Sequence, residues 1–162
     1  MTAFGLGNQG SNVAQAQPNI EHSTAWIAAS DGDLQLLQRS MASLNLNVSA
    51  ADDNGYTLLH AAASYCRIAI MNFLLDGGAP IDATDNDGDT PLHHVDVVEA
   101  AKLLINRGAD PTKSNNEGKT ALELKRQDLE ELMKEEEDDD NDEEISKLRT
   151  LIGFLETHTT KR

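Results

Sequence analysis

The sequence predicts an all-α solenoid of helix-turn-helix units joined by short β-hairpin-like tips. Two observations carry this expectation. One motif is written twice, 33 residues apart from Thr57 to Thr90: Asp53-Asn54-Gly55-Tyr56-Thr57-Leu58-Leu59-His60-Ala61-Ala62-Ala63 and Asp87-Gly88-Asp89-Thr90-Pro91-Leu92-His93. Each copy then runs into an apolar stretch that ends in Gly-Ala, at Gly78-Ala79 and at Gly108-Ala109. A fixed period of this size means stacked supersecondary units, not one globular domain with an internal pocket.

Each element follows from local chemistry. Residues 1–19 are rich in Gly, Asn, Gln and Ser with almost no apolar periodicity, and read as a disordered tail. A degenerate copy spans about 20–51. It begins Ser23-Thr24-Ala25-Trp26, with Trp26 where the motif has His, and continues with Leu34, Leu37 and Met41 at helical spacing. The second copy, about 52–84, turns at Asn54-Gly55, since Asn-Gly supplies the positive φ of a tight turn. Thr57 starts its first helix by satisfying orphan N–H groups. Ala61, Ala62 and Ala63 let neighbouring units approach closely. Its second helix carries Ile68, Ile70, Met71, Phe73, Leu74 and Leu75, and stops at Gly77-Gly78.

The third copy, about 85–114, starts at Thr90 with Pro91 in the first turn. His93 to Gly108 is 15 steps against 18 from His60 to Gly78, so His94–Val98 has lost residues and the first helix or its loop should be short. The fourth copy, about 115–158, turns at Asn116-Glu117-Gly118 and starts at Thr120, with Glu123 in the His slot. Leu122, Leu129, Leu132 and Met133 share one helical face, and Ile145, Leu148, Leu151, Ile152 and Leu155 form a second stripe. Helices are expected over Thr120–Lys134 and Glu143–Thr157. The acidic run near 135–144 is then an insertion in the loop between them, which costs little closure entropy.

The order turn, Thr-Pro-Leu-His-x-Ala, second helix, Gly-Ala resembles the ankyrin repeat, strongly over 52–124 and more loosely across 20–158. The resemblance implies a non-enzymatic scaffold or adaptor that binds a partner protein in a concave groove and along the hairpin tips, with no cofactor. It implies a structural role for Thr57, His60, Thr90, His93 and Thr120, and for Trp26 in the His slot. The His is expected to hydrogen-bond the Thr hydroxyl and a backbone group of the adjacent repeat. Groove positions carried over residue by residue are Ser30 and Asp31; Asp53, Asn54, Tyr56, Ser64 and Tyr65; Asn86, Asp87 and Asp89; and Asn116, Glu117 and Lys119. Tyr56 and Tyr65 are the two tyrosines of the chain, and Tyr is enriched at interface hot spots. Partly exposed packing is the alternative for both.

The net charge is −15, of which Glu130–Glu144 contributes −10 from 11 acidic residues and one Lys. The remaining −5 describes a mildly acidic scaffold plus one acidic segment. A partner bearing Lys or Arg is favoured. Neither nucleic acid nor a membrane is expected as a partner, and a monomer is expected. No secretory leader and no apolar run of membrane-spanning length is read, and the single Cys66 cannot form an internal disulfide. The default compartment is cytoplasmic or nuclear.

Each candidate site also admits another reading. His60, His93 and His94 could suggest a metal, but the motif makes the first two structural, and His94 reads as a neutral surface residue. Asp85-Asn86-Asp87-Gly88 superficially resembles a calcium loop, yet Ala83 and His94 would fall at its first and twelfth positions, where acidic ligands belong. No phosphate loop, His-Glu-x-x-His pair or other catalytic constellation is present. Cys66 occupies a Gly slot, where packing or loop geometry is expected over reactivity. The acidic run is either a solvated loop or a lure for a basic protein such as a histone, an escort or chaperone role. An ankyrin-type enzyme inhibitor is a further alternative.

Overall fold

The computed structural model describes residues 21–134 and 141–159. The expected tail over 1–19 and residues 135–140 of the acidic run lie outside them. The elements are α1 (His22–Asp31), α2 (Leu34–Leu44), α3 (Leu58–Ser64), α4 (Ile68–Asp76), α5 (Val98–Asn106), α6 (Ala121–Leu132) and α7 (Asn141–Thr159). They pair as α1 with α2, α3 with α4, a turn with α5, and α6 with α7. The described residues hold only isolated antiparallel bridges, Ala51 with Thr57 and Ser114 with Thr120, which close two of the tips.

The caps explain most boundaries. Thr57 and Thr120 sit before α3 and α6, and their hydroxyls accept the N–H of His60 and Glu123 at 3.3 Å each. Asp33 caps α2, accepting the Leu36 N–H at 2.8 Å. Helix α1 begins earlier than the repeat register suggests. Its cap is Glu21, whose N–H donates to Thr24 Oγ1 at 3.2 Å, so it has 10 residues against 7 in α3.

The third copy is the irregular one. Thr90 is followed by a turn over 91–94 with no α-helix, and the chain reaches α5 through an irregular stretch. The missing residues are thus taken from the first helix. At Cys66 the backbone has φ 53°, the left-handed conformation in which its neighbour in the repeat pattern, Gly32, has φ 88°.

Two expected boundaries need correction. The fourth copy's helices are α6, ending at Leu132 before Lys134, and α7, starting at Asn141 before Glu143. Part of the acidic run is therefore helix and not loop. Asp142, Glu143 and Glu144 occupy the first turn of α7, where carboxylates meet the positive end of the helix dipole. Leu148, Leu151, Ile152 and Leu155 are buried on the opposite stripe. Burial of about 1.5–3 kcal/mol per such side chain exceeds the tenths of a kcal/mol that like charges cost along a helix. The helix therefore stays docked, and the continuous core runs from Ala25 to Leu155.

Candidate protein-interaction surface

A spine of side-chain bonds fastens each unit to the next. Trp26 Nε1 donates to the Tyr56 carbonyl at 2.8 Å, His60 Nε2 to the Asp89 carbonyl at 2.9 Å, and His93 Nε2 to the Lys119 carbonyl at 3.2 Å. The histidine tautomer follows from geometry. The Thr57 N–H donates to His60 Nδ1 at 3.1 Å and the Thr90 N–H to His93 Nδ1 at 3.1 Å, so the proton sits on Nε2 in both rings. Thr57 and Thr90 hydroxyls also lie 2.8 and 2.9 Å from those Nδ1 atoms. Burial holds both imidazoles below their ordinary pKa of 6.5, against the carbonyl bonds that favour the charged form. Trp26 reproduces the inter-unit bond with an indole, which donates but does not titrate. Glu123 turns back to the N–H and hydroxyl of its own Thr120, at 2.8 and 2.9 Å, and the spine ends there.

His94 is not a free surface residue. Its Nε2 donates to Asp85 Oδ2 at 2.9 Å, and its ring stands edge-on to Tyr56 and His60, 5.2 and 5.4 Å away. Burial works to raise the Asp85 carboxyl, but bonds from His94 and the Asp89 and Asp87 amides outweigh it and hold the pKa low. The ligand atoms of His60, Asp85 and His94 lie within 4.8 Å of one another. Metal coordination by His60 Nε2 would move the ring proton to Nδ1, which would set it against the Thr57 N–H and break the bond to the Asp89 carbonyl. Asp85 Oδ1 instead accepts the amides of Asp87 and Asp89 at 3.0 and 2.9 Å, shaping the hairpin.

The tips form a second ladder. The Asn86 N–H donates to the Asn54 carbonyl and the Asn116 N–H to the Asp87 carbonyl, both at 2.9 Å. The side-chain amides repeat the pattern, Asn86 to the Asp53 carbonyl at 3.2 Å and Asn116 to the Asn86 carbonyl at 2.9 Å. This contact is why Gly88 tolerates no side chain: besides φ 81°, a Cβ there would lie 2.8 Å from the Asn116 amide nitrogen.

The candidate groove residues fall into two groups. Asp31, Asp53, Asn54, Tyr65, Asn86, Asp87, Asn116 and Glu117 are exposed. Ser30, Tyr56, Ser64, Asp89 and Lys119 are half-buried and engaged. The Ser30 carbonyl accepts from Arg67, Asp89 accepts from Asn115, and Lys119 pairs with Glu117 at 2.8 Å. Tyr56 donates its hydroxyl to Ser64 Oγ at 2.8 Å and lies 5.1 Å from the His60 ring. The two tyrosines thus differ, with Tyr65 standing 59% exposed. Burial, followed by Glu99, pushes the Cys66 thiol up, away from an activated thiolate.

Charge on this surface is more concentrated than the net value suggests. Residues 21–101 hold twelve acidic side chains and two basic ones, Arg39 and Arg67, a net of −10. The −5 left outside the acidic run is this −10 offset by cations later in the chain. The signal was present in the sequence and is masked by averaging. Lys125 is one of those later cations. It is 7% exposed, with Nζ bonded to Asp96 at 3.0 Å and Asp128 at 3.1 Å.

Comparison with known proteins places this architecture. Residues 25–115 match the family described as ankyrin repeats (3 copies). The chain belongs to the ankyrin-repeat family, whose stacked units are protein–protein interaction modules. It is 41% identical over 113 residues to the ankyrin repeat-containing protein P1E11.10 of Schizosaccharomyces pombe, covering 69% of this chain and 52% of that protein. It is 40% identical over 81 residues to human BCL-6 corepressor-like protein 1, covering 48% of this chain and 4% of the relative. A palmitoyltransferase of S. pombe, akr1, is 39% identical over 62 residues, 38% of this chain and 10% of that enzyme. The chain thus spans about half the length of the first of these relatives and a small fraction of the others. Among the described residues, no helix is long and apolar enough to cross a membrane.

Proposed function

We propose that the chain is a non-enzymatic adaptor that holds a basic partner protein against its hairpin tips and concave face. The observation that carries this reading is the pairing of an exposed Tyr65 with an acidic surface of net −10 over residues 21–101. Tyr65 supplies a rigid apolar anchor with a polar end. Asp31, Asp53, Asp87 and Glu117 supply charge that steers a Lys- or Arg-bearing surface into register. Asn54, Asn86 and Asn116 line the same tips. The half-buried Ser30, Tyr56, Ser64, Asp89 and Lys119 hold the framework beneath them. The test is affinity capture by the full chain, repeated with Tyr65→Ala and with Asp87→Asn, at low and high salt. A partner held here is lost from the Tyr65 variant and released as salt rises. Equal recovery by parent and both variants would remove the tips and concave face from the interface.

A second reading rests on the acidic segment, where Glu130–Glu144 places 11 acidic residues. In this reading it draws a basic protein, such as a histone, as an escort. It separates from the first because partner recovery would depend on the segment and not on Tyr65.

A further inference from the structure

The sequence holds one Asn-Gly pair, Asn54-Gly55, and it lies at the tip of the second unit. Stacking demands that glycine. Gly55 has φ 74°, and a Cβ there would lie 3.1 Å from the Asp85 Cα and 3.3 Å from the Asn86 amide nitrogen of the next tip. The backbone nitrogen that follows Asn54 is therefore shielded by no side chain of its own. Asn54 is exposed and lies outside the left-handed region. Its carbonyl accepts the Asn86 N–H at 2.9 Å, the rung that ties the tip of the second unit to that of the third.

The other asparagines of these units are placed differently. Asn86 and Asn116 donate their side-chain amides to the Asp53 and Asn86 carbonyls, at 3.2 and 2.9 Å, and are followed by Asp87 and Glu117. Asn45 and Asn47 precede the branched Leu46 and Val48. One contact opposes reaction at Asn54. The Gly55 N–H donates to the Asp52 carbonyl at 2.9 Å, and that bond must break before the nitrogen can turn to the Asn54 side chain. Exposed loop tips lie at the low-energy end of local opening, so the bond slows the approach without forbidding it.

We propose that Asn54-Gly55 is a site of spontaneous deamidation, and that the modification breaks the rung between the second and third units. The Gly55 nitrogen loses its proton to solvent base and attacks Asn54 Cγ. The bond from Cγ to the side-chain nitrogen breaks, and that nitrogen takes up a proton and leaves as ammonia. A five-membered cyclic imide remains, and water opens it. Cleavage between the ring nitrogen and Cγ gives aspartate. Cleavage between the ring nitrogen and the main-chain carbonyl gives isoaspartate, in which the chain runs through Cγ. Both products add a carboxylate beside Asp52 and Asp53. Aspartate leaves the backbone carbonyl where Asn86 meets it. Isoaspartate turns that carbonyl into a carboxylate outside the main chain and lengthens the backbone by a methylene, so the Asn86 N–H loses its fixed acceptor.

The test incubates the full chain at mildly alkaline pH, folded and in urea, and follows it by tryptic mapping. Arg39 and Arg67 bound one tryptic peptide, which holds Asn45 and Asn47 as internal controls for Asn54. A gain of about one dalton is expected at Asn54, where a hydroxyl replaces an amino group, at a rate that rises with hydroxide. The folded chain should convert about tenfold more slowly than the unfolded one, the scale of a low-energy tip opening. Asp-Gly pairs such as Asp87-Gly88 isomerise through the same imide but gain no mass. Asn54→Gln, which cannot close a five-membered ring, should show no gain at this position. Hydrogen exchange by NMR then reads the rung. The Asn86 amide should lose protection in the isoaspartate fraction and keep it in Asn54→Asp. Conversion at Asn45 or Asn47 as fast as at Asn54, or none in the folded chain, would overturn the site. Unchanged protection of Asn86 in the isoaspartate fraction would overturn its effect on the ladder.

Discussion

At the residue scale the inter-unit bonds set the expectations. His60→Ala removes a buried donor and strands the Asp89 carbonyl and the Thr57 amide, so the fold should lose roughly 1–3 kcal/mol. Trp26→Phe keeps an aromatic ring, smaller than the indole, and removes one bond, at about 1 kcal/mol for the bond itself. Urea unfolding of both variants checks the order, and an unchanged midpoint for His60→Ala would reject the spine. Cys66→Gly should be neutral or stabilising by up to about 1 kcal/mol, because φ 53° strains any residue with a Cβ. Clear destabilisation would mean that the thiol's packing outweighs backbone strain. The histidines also set a pH dependence. Their folded pKa values lie below the unfolded 6.5, so the unfolded chain binds protons that the folded chain refuses. Stability should therefore fall as pH drops from about 7 through 6.5 and below. Asp85 acts in a separate window, below its ordinary 3.8. Equal urea midpoints at pH 7.5 and 5.5 would contradict the neutral, buried tautomers.

At the element scale the shortened third unit is the point of interest. It has no first helix, and Lys125 of α6 reaches into this region to meet Asp96 in the stretch before α5. By the repeat register Lys125 stands where α3 has Ala62, so a long side chain replaces a small one beside the missing helix. Its ammonium is held charged despite burial, which by itself would lower the pKa, because Asp96 and Asp128 more than compensate. Lys125→Ala should cost about 1–3 kcal/mol, chiefly in lost packing of its buried stem, since the Asp96 and Asp128 carboxylates are exposed and stay solvated. Lys125→Met keeps the stem and should recover most of that loss. If the Met variant is as unstable as the Ala variant, the charge and not the stem fills the gap. The deletion itself was legible in the spacing from His93 to Gly108. Its compensation was not, since nothing local distinguishes Lys125 from an exposed helix lysine.

At the scale of the whole molecule, the stack is a spine and a ladder under an acidic surface. Replacing residues 135–140 by a Gly-Ser linker leaves Asn141 onward untouched, so the docked stripe Leu148–Leu155 should hold α7 in place. Cooperative unfolding with an equal or slightly higher midpoint is expected, because six adjacent acidic residues repel one another. Loss of cooperativity would mean that the segment is structurally required. By itself, the sequence determined the repeat period, the tips, the threonine caps and the place of the deletion, because each depends on residues within a few positions of one another, while the structure decided that the deletion removes the first helix and not its loop. Tertiary structure decided which polar groups remain free for a partner. Tyr56 is engaged with Ser64 and two histidine rings while Tyr65 stands open, His94 is tied to Asp85, and α7 begins inside the acidic run. Bonds across 26 to 33 residues, such as His93 to Lys119 and Asn86 to Asp53, depend on how the units are stacked, and local pattern carries no record of that distance.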